Sequence, residues 1–548
     1  MKKDVGSLEY KASALQTILA LFIATVCYIL ISPKWTIAIA AWIAPAAMLY
    51  FYLLGNFRLK FLWLFVTLYV TSLIAAIDVQ PFPLAVLAVI NIVGNLFAVI
   101  PFLLSKWAAK YFKGFVSTLI FPASAVALEY FNSTGLGGVW GSIANTQYSF
   151  AWLTQLASVT GLWGISFLIY WFASVAVWVF ERKAERENSL KGIIIFCSTL
   201  LIVLIFGAVR YTSNRNINFQ TKVAGISVPV FSFMEKLYKD YSNNDITIDP
   251  KISQSSPQLQ QVNLALIPFI ETEDTVKFHD GYNALKKIRD SLFALSKKAA
   301  DEGAKIISWS EGNAFVFKNE EENFINRGKT FAADNHVYLL MAMATILPGK
   351  ITADKNFVEN KALLISPEGN VVNDFRKNHP VPFAEHSKAG DGKIPVIKTP
   401  YGNISTSICY DADFPKTMQQ LSQNKTALLL LPAGDWYSIA PYHSYMAVFR
   451  AIENGTSLFR QTSGGLSIAV DYRGKLLAQK NFFDAGEKIT IANISVQHVT
   501  TLYSIIGDAF AYACILFLLT AIIYLLIKTV ARKQFKKKQK ILNKTLAA

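Results

Sequence analysis

The sequence predicts a polytopic α-helical membrane domain of about eight spans, joined to one extracytoplasmic α/β domain. Of the 548 residues, 53% are hydrophobic and 16% are charged, whereas a soluble globular protein averages about 25% charged residues. The hydrophobic residues form long blocks before residue 210 and again near 509–528, with a more polar stretch between them. These observations exclude intrinsic disorder and a wholly soluble protein.

Eight segments are apolar over the length of about 20 residues that a membrane span requires. They run over 13–31, 35–54, 60–77, 84–104, 115–131, 161–180, 192–209 and 509–528. We therefore predict three parts of the chain. Residues 1–212 form a transmembrane domain with spans one to seven, 213–505 form an extracytoplasmic domain, and 506–548 form span eight with a basic cytoplasmic tail.

The formal charge of +16 is explained by where the basic residues lie. They cluster in every second connection between spans and after span eight, whereas Lys34 stands alone in the first of the alternate connections. The clusters include Lys2, Lys3 and Lys11 before span one, then Lys106, Lys110 and Lys113, and then Arg182 and Lys183. This is the positive-inside pattern. It predicts a membrane protein with both termini cytoplasmic and the polar domain on the outer face, and it disfavours nucleic acid as a partner.

The connection between spans five and six has an unusual composition. Residues 133–147 contain four glycines and no charged residue. One interpretation is a flexible outer loop. The other is a loop in the lipid headgroup layer beside a lipid-binding groove, with Trp140 and Trp152 as interfacial anchors.

Short apolar and β-branched runs alternate with helical patterns in the polar domain, which predicts an α/β layered fold. Predicted strands are 222–230, 304–309, 338–344, 361–366, 403–409, 426–431 and 465–470, and predicted helices are 280–300 and 442–454. Residues 231–262 are polar with weak periodicity, so we predict an extended loop there.

The chain has four cysteines. Cys27, Cys197 and Cys514 lie within predicted spans, so Cys409 alone belongs to the polar domain. It therefore has no partner for a disulfide within the domain. A lone thiol outside the cytoplasm is exposed to oxidation, and a role as a nucleophile explains why one is kept there.

Two further predicted strand ends carry groups that suit a thiol nucleophile. Glu311 follows the apolar run Ile-Ile-Ser-Trp-Ser, and Lys377 lies in the segment from Phe375 to Glu385. A thiol is only slightly ionised at neutral pH and needs a base, which a carboxylate in a partly desolvated pocket can supply. A lysine ammonium can stabilise the oxyanion of a tetrahedral intermediate. Glu, Lys and Cys together therefore predict acyl transfer.

The segments around these residues resemble the three signatures of the nitrilase superfamily. They read Ser-Glu-Gly at 310–312, Arg-Lys-Asn-His-Pro-Val-Pro-Phe-Ala-Glu at 376–385 and Ile-Cys-Tyr-Asp at 408–411. With eight spans around it, the chain resembles the apolipoprotein N-acyltransferase family in particular. The resemblance continues through 435–436, 441–443, 450–453, 460–465 and 501–508. It implies that the α/β domain is an α-β-β-α sandwich.

The resemblance also implies residue roles and substrates. Glu311 is the expected general base, Lys377 the oxyanion stabiliser, Cys409 the nucleophile and Glu385 a supporting carboxylate. Tyr410, Asp411, Trp436 and Trp140 are the expected pocket residues. The expected donor is a phospholipid, typically phosphatidylethanolamine, and the expected acceptor is the α-amine of S-diacylglyceryl-cysteine on an apolipoprotein. No metal and no organic cofactor are implied. The resemblance also implies a location in the bacterial inner (cytoplasmic) membrane, with the polar domain on the periplasmic face.

The sequence departs from the family pattern at several positions. Ser310 precedes Glu311 where proline is usual, Ala384 precedes Glu385 where glycine is usual, and Asp411 replaces a glutamate. The segment 226–262 also lacks the usual turn after the first strand, which leaves the acceptor open.

Two other functions remain as alternatives. A membrane-anchored amidase that hydrolyses a small extracytoplasmic amide would use the same three residues, and a non-catalytic lipid-handling scaffold would need none of them. His379, His386 and His443 lack metal-ligand spacing, so we assign them structural or surface positions.

Overall fold

The computed structural model describes residues 12–112, 114–181, 186–213, 220–352 and 355–547. The basic residues predicted to precede span one, together with Lys113, Arg182 and Lys183, lie outside these ranges.

The first part of the chain is helical. Its helices are α1 (Ala14–Leu30), α2 (Ala38–Leu54), α3 (Lys60–Ala76), α4 (Leu84–Ala98), α5 (Ile100–Ala108), α6 (Ile120–Ser133), α7 (Ala151–Thr154), α8 (Ala157–Thr160), α9 (Leu162–Glu181) and α10 (Arg186–Thr212). The polar domain adds α11 (Phe231–Ser242), α12 (Pro257–Thr272), α13 (His279–Asp301), α14 (Glu321–Asn335), α15 (Pro415–Met418), α16 (Gln420–Gln423), α17 (Tyr442–Asn454) and α18 (Leu502–Ile506). The last helix is α19 (Ala509–Ala547).

Each predicted span coincides with a helical segment. Among the residues that the structure describes, five segments are long and apolar enough to cross a membrane, namely Leu84–Ala108, Phe115–Ser133, Leu162–Glu181, Ser189–Thr212 and Ala509–Thr545. The helices α1, α2 and α3 are apolar but shorter, with 17 residues each. A helix of that length extends about 25 Å, slightly less than the thickness of a bilayer core. Large apolar side chains such as Phe22, Ile39 and Ile202 are exposed on the bundle, as expected for a surface that contacts lipid.

The described part of the polar domain contains two large sheets. The strands are β1 (Gln220–Ser227), β2 (Ile306–Trp309), β3 (Ala314–Phe317), β4 (Tyr338–Ile346), β5 (Val358–Ile365), β6 (Val371–Arg376), β7 (Ile397–Thr399), β8 (Gly402–Thr406), β9 (Leu428–Leu430), β10 (Ala433–Gly434), β11 (Ser457–Arg460), β12 (Thr462–Ser463), β13 (Leu466–Val470), β14 (Leu476–Asn481) and β15 (Lys488–Ser495). The first sheet has the order β15-β1-β2-β4-β5-β6, with β3 beside β4, and the second has the order β14-β13-β11-β9-β8-β7.

The two sheets face each other across one apolar core. That core contains Val223, Ile306 and Leu340 from the first sheet together with Leu429 and Phe459 from the second. The helices α13 and α14 cover the outer face of the first sheet, and α17 packs on the second. This is the α-β-β-α sandwich that the sequence resemblance implied.

The predicted loop over 231–262 was wrong, because α11 and the start of α12 lie within it. Phe233 and Leu237 are four residues apart and both are buried, which is the spacing of one helical face. The Ser256 side chain accepts a hydrogen bond from the Gln258 backbone, with Pro257 in the first turn of α12. The polar clusters therefore mark helix ends and a shorter connection, not one extended loop.

The connection between spans five and six is packed, not loose. Val139, Ile143 and Ala144 are buried in the core of the membrane bundle. The Glu129 carboxylate holds this segment by accepting hydrogen bonds from the Ser142 hydroxyl at 2.7 Å and the Ile143 backbone N–H at 3.1 Å.

Buried carboxylates of the chain join the sandwich to the membrane helices. Glu453 of α17 accepts a hydrogen bond from the Leu162 backbone N–H, at 3.0 Å, where α9 begins. A carboxylate at a helix N-terminus is favoured by the helix dipole. Asp508, which precedes α19, accepts from the indole of Trp163 at 2.7 Å and from Gln419 at 2.8 Å.

Candidate active site

Glu311 follows β2 by two residues and lies between the two sheets. Its Oε1 accepts hydrogen bonds from Lys377 Nζ and Asn360 Nδ2, each at 2.7 Å. Its Oε2 accepts from the Gly434 backbone N–H at 2.8 Å. Three donors therefore fix both carboxylate oxygens in place. Asn360 was not identified from the sequence, where a single asparagine in a strand gives no signal.

Lys377 follows β6 directly, and its side chain is 0% exposed. It forms ion pairs with Glu311 and with Glu385. Burial alone lowers the pKa of a lysine, but the two carboxylates outweigh burial and hold the pKa of Lys377 well above its usual value. The ammonium is therefore a permanent positive charge in this site.

Cys409 lies beyond the end of its strand, not within it. The strand β8 ends at Thr406, and Cys409 begins a 3₁₀ turn that extends to Asp413. Its φ of 46° is unusual for a residue with a side chain. The backbone N–H of Cys409 donates to the Pro432 carbonyl at 2.9 Å, and Sγ lies 3.7 Å from the Gly434 carbonyl oxygen.

The Cys409 thiol is 4% exposed. Burial raises its pKa well above the usual value, and the charge of Glu311 raises it further, whereas Lys377 acts in the opposite direction. The thiol is therefore protonated until a base removes its proton.

Glu385 lies in the loop after β6, with its side chain 24% exposed. Burial raises its pKa, while Lys377 partly offsets that effect. Asn360 Nδ2 lies 3.4 Å from its Oε2, so one amide contacts both carboxylates. The structure brings Glu311, Lys377, Glu385 and Cys409 into one cluster.

A cavity of about 850 Å³ opens beside this cluster. Cys409, Glu385, Trp140 and Trp436 all contribute to its wall, as do Tyr410 and His443. Val86 and Ile90 of α4 also line it. The cavity thus connects the thiol with an apolar helix of the membrane bundle.

Tyr410 and Asp411 differ in position. Tyr410 lines the cavity, and its hydroxyl donates to the Leu136 carbonyl of the connection between spans five and six. Asp411 does not line the cavity and is 0% exposed. Its carboxylate accepts hydrogen bonds from the Ile408 backbone N–H at 3.0 Å and the His379 backbone N–H at 2.7 Å. Asp411 therefore shapes the turn that carries Cys409, and its expected position in the pocket wall was wrong.

The two predicted pocket tryptophans line the cavity and contact different parts of the chain. The indole of Trp436 donates to the Asp78 carbonyl, at 3.2 Å, in the connection between α3 and α4. Trp140 packs edge-on against the rings of Tyr442 and His443, with centroids 5.6 and 5.5 Å apart. Trp152, the other proposed interfacial anchor, is 47% exposed and does not line this cavity.

A second charged cluster lies close to Cys409. His443 Nδ1 is 2.8 Å from Asp435 Oδ1, and its Nε2 is 3.2 Å from Asp413 Oδ1. Arg460 donates to both oxygens of Asp435 at 2.9 Å. Burial lowers the pKa of His443, but Asp413 and Asp435 outweigh it and raise that pKa to about 9. The sequence placed His443 as a structural or surface residue, but it faces the cavity.

Cys409, Asp435 and His443 place possible ligand atoms within 4.8 Å of one another. Three such groups could hold a metal ion by spacing alone. However, Asp435 is already bound at both oxygens by the Arg460 guanidinium. A cation bound here would lie beside that fixed positive charge, so the donor set does not suit a metal.

The sandwich, the Glu-Lys-Cys cluster and the apolar bundle define a membrane protein of the carbon-nitrogen hydrolase class. The carbon-nitrogen hydrolase family matches residues 279–503. The apolipoprotein N-acyltransferase N-terminal domain matches residues 21–175. The chain belongs to the apolipoprotein N-acyltransferase family.

Relatives from several bacteria have similar sequences over most of their length. Apolipoprotein N-acyltransferase of Geobacter metallireducens is 26% identical over 73% of this chain and 73% of that protein. Apolipoprotein N-acyltransferase 1 of Treponema denticola is 25% identical over 83% of this chain and 85% of that protein. The Borreliella burgdorferi apolipoprotein N-acyltransferase is 24% identical over 79% of this chain and 81% of that protein.

Proposed function

We propose that this acyltransferase moves an acyl chain from a phospholipid to the α-amine of S-diacylglyceryl-cysteine at the N-terminus of an apolipoprotein, through a thioester on Cys409. One observation carries the proposal: the wall of a single cavity contains both the buried thiol and apolar residues of a membrane helix. Both substrates have acyl chains that remain in the bilayer. A site that is continuous with the membrane can therefore bind them without extracting lipid into water.

In the first half-reaction, Glu311 accepts the proton of Cys409 Sγ. The thiolate attacks an ester carbonyl of the phospholipid and forms the S–C bond of a tetrahedral intermediate. Lys377 Nζ has three protons, of which Glu311 and Glu385 accept two, so a third can stabilise the oxyanion. The Tyr410 backbone N–H is a further donor for this oxyanion. The intermediate then loses its ester C–O bond, and Glu311 returns the proton to the departing lysophospholipid.

In the second half-reaction, the neutral α-amine of the acceptor attacks the thioester carbonyl. Glu311 accepts a proton from the attacking nitrogen, and the S–C bond breaks to leave an amide. The same carboxylate then returns the proton to Cys409, which closes the cycle. The nucleophile and base thus each act twice, which is the pattern of a ping-pong mechanism.

The arrangement of charges around the helices supports a bacterial inner-membrane location. We place the sandwich on the periplasmic face and both termini in the cytoplasm. The donor that we propose is phosphatidylethanolamine, although other diacyl phospholipids offer the same ester. Because the acceptor cysteine carries a diacylglyceryl group on its sulfur, it can enter the cavity from the same lipid-facing side.

Acyl-enzyme trapping tests this proposal. The purified full-length protein is incubated with phosphatidylethanolamine that is isotopically labelled in its acyl chain, and each cysteine peptide is analysed by mass spectrometry. We expect a hydroxylamine-sensitive adduct on Cys409 that transfers to a diacylglyceryl-cysteine peptide. Cys409→Ser should lack the adduct, whereas Cys197→Ser, which removes a thiol on α10, should retain it.

Two outcomes would contradict parts of the proposal. If no phospholipid forms an adduct but the protein hydrolyses small amides, the chain acts as an amidase. If the adduct forms but only water discharges it, the proposed acceptor is wrong while the proposed donor stands.

A further inference from the structure

His443 is a buried charged residue that the acyl-transfer steps above do not use. We infer that His443 is a positioning residue, whose fixed positive charge balances the carboxylates beside Cys409 and favours the reactive thiolate. The inference depends on the proposed role of Cys409 as the nucleophile. It assigns a role to a second charged cluster, separate from Glu311, Lys377 and Glu385.

The hydrogen bonds of the His443 ring require that both ring nitrogens carry a proton. A carboxylate oxygen lies near each nitrogen, Asp435 Oδ1 at 2.8 Å and Asp413 Oδ1 at 3.2 Å. A carboxylate can only accept hydrogen bonds, so each nitrogen donates. Arg460 also lies 3.0 Å from Nδ1, but Asp435 Oδ1 is closer, so we assign the Nδ1 proton to the hydrogen bond with Asp435. The ring is therefore an imidazolium.

This imidazolium is close to the nucleophile. A ring nitrogen of His443 and the Sγ of Cys409 lie within 4.8 Å of each other. The His443 side chain is 5% exposed, and both carboxylate partners are almost completely buried. Water therefore screens these charges weakly, and each of them acts on the thiolate.

The charges of this second cluster cancel. Asp413 and Asp435 are negative, and His443 and Arg460 are positive. Asp413 belongs to the turn that begins with Cys409, and Arg460 belongs to β11. Trp140, which packs on the ring from the membrane side, is uncharged. Loss of the His443 charge would leave a net negative charge beside a sulfur that must itself become negative.

Substitutions in this cluster can make its net charge either more negative or more positive, and both changes test the inference. His443→Gln removes one positive charge, Asp413→Asn removes one negative charge, and the double variant is neutral again. Asp413 Oδ2 has no hydrogen-bond partner among the described residues, so an amide fits there without losing a contact of that atom. If the role of His443 were purely structural, the second substitution would remove a further hydrogen-bonding carboxylate and would not restore the reactivity of Cys409.

The experiment measures alkylation of Cys409 by iodoacetamide in the full-length protein, with peptide-level mass spectrometry between pH 6 and pH 10. The thiolate sulfur displaces iodide and forms the S–C bond, so the rate reports the thiolate population. We expect His443→Gln to react about 10- to 100-fold more slowly than wild type at pH 8. Asp413→Asn should react faster than wild type, and the double variant should return to within about threefold of it.

The control is His386→Gln, because His386 stacks on Phe357 and does not line the cavity. It should react at the wild-type rate. Equal rates for His443→Gln and wild type would overturn the inference, as would a double variant that stays as slow as His443→Gln. Alkylation needs no lipid, so this test can fail while acyl transfer from phospholipid to Cys409 still occurs, and the reverse also holds.

Discussion

Lys377 and Glu311 follow two strands that are not neighbours, yet Lys377 Nζ and Glu311 Oε1 lie 2.7 Å apart. The strands β4 and β5 separate β2 from β6 in the first sheet. Since β4 is parallel to β2, and β5 is antiparallel to both β4 and β6, the strands β2 and β6 point the same way. Their carboxyl ends therefore meet at one edge of the sheet. The Lys377 backbone N–H also donates to the Asn360 carbonyl of β5, at 3.0 Å, which fixes the lysine there.

Lys377→Met should abolish most acyl-enzyme formation and destabilise the fold. The substitution leaves Glu311 and Glu385 facing each other without the buried cation between them. Loss of an oxyanion donor alone costs about 10² to 10³ in rate, and an unpaired buried charge costs roughly 3–5 kcal/mol of stability. Labelled-adduct formation and thermal unfolding in detergent measure the two effects. Lys388→Met, an exposed lysine in the same loop, should change neither.

The stability of the protein should fall as the pH rises through about 9, because His443 then loses its proton. The pKa of His443 is raised above its usual value of 6.5, so the stabilisation is complete below pH 6.5 and lost above the folded-state pKa. Its size is roughly 3 kcal/mol. Thermal unfolding between pH 6 and pH 10 should show this decrease in wild type and in His386→Gln. A variant His443→Gln that keeps the same pH dependence would contradict the assignment.

Gly138→Ala should slow acyl-enzyme formation, whereas Gly141→Ala should not. Gly138 has a φ of +51°, and a Cβ there would collide with the Asp413 backbone, including its carbonyl oxygen. That oxygen accepts a hydrogen bond from the Val139 backbone N–H at 2.9 Å. A Cβ at Gly141 meets no atom within 4 Å. Alanine at Gly138 costs roughly 1–2 kcal/mol in backbone conformation alone, and the displaced turn contains Cys409. The rate of labelled-adduct formation compares the two variants.

Ile90→Trp should shorten the acyl chains that the protein accepts. Ile90 lines the cavity from α4. The indole of tryptophan is larger than the isoleucine side chain and would reduce the space available to the acyl chain. We expect transfer from long-chain donors to fall about tenfold relative to short-chain donors. Val93→Trp is the matched control, because Val93 lies on the same helix, is 51% exposed and does not line the cavity. An equal loss for all chain lengths in Ile90→Trp would indicate a general defect instead.

Local patterns in the sequence were sufficient to predict several features of the structure. The apolar segments and the predicted helix at 442–454 follow from hydrophobic periodicity, which depends only on neighbouring residues. The helix α17 has the predicted bounds. Glu311, Lys377 and Cys409 were predicted as one group because each follows an apolar or motif-bearing run, and the structure brings their side chains together.

Other features depended on long-range contacts. The helix α11 was missed because its apolar face is narrow and its flanks are polar, so its burial against α12 and α13 decides its conformation. Asp411 was predicted to line the pocket because it lies two residues after Cys409 in the sequence. The 3₁₀ turn over Cys409–Asp413 instead leaves its side chain outside the cavity wall, which the sequence does not reveal.

The class of the protein follows from the amino-acid sequence, which contains apolar helices, an α/β domain, and a glutamate, a lysine and a cysteine suited to acyl transfer. How these groups act together depends on the tertiary structure. It brings Cys409 and residues of the helix α4 to the wall of one cavity, and it places His443 between the carboxylates of Asp413 and Asp435. The physical reason is that protonation and burial depend on charges brought together from distant parts of the chain, which no local pattern records.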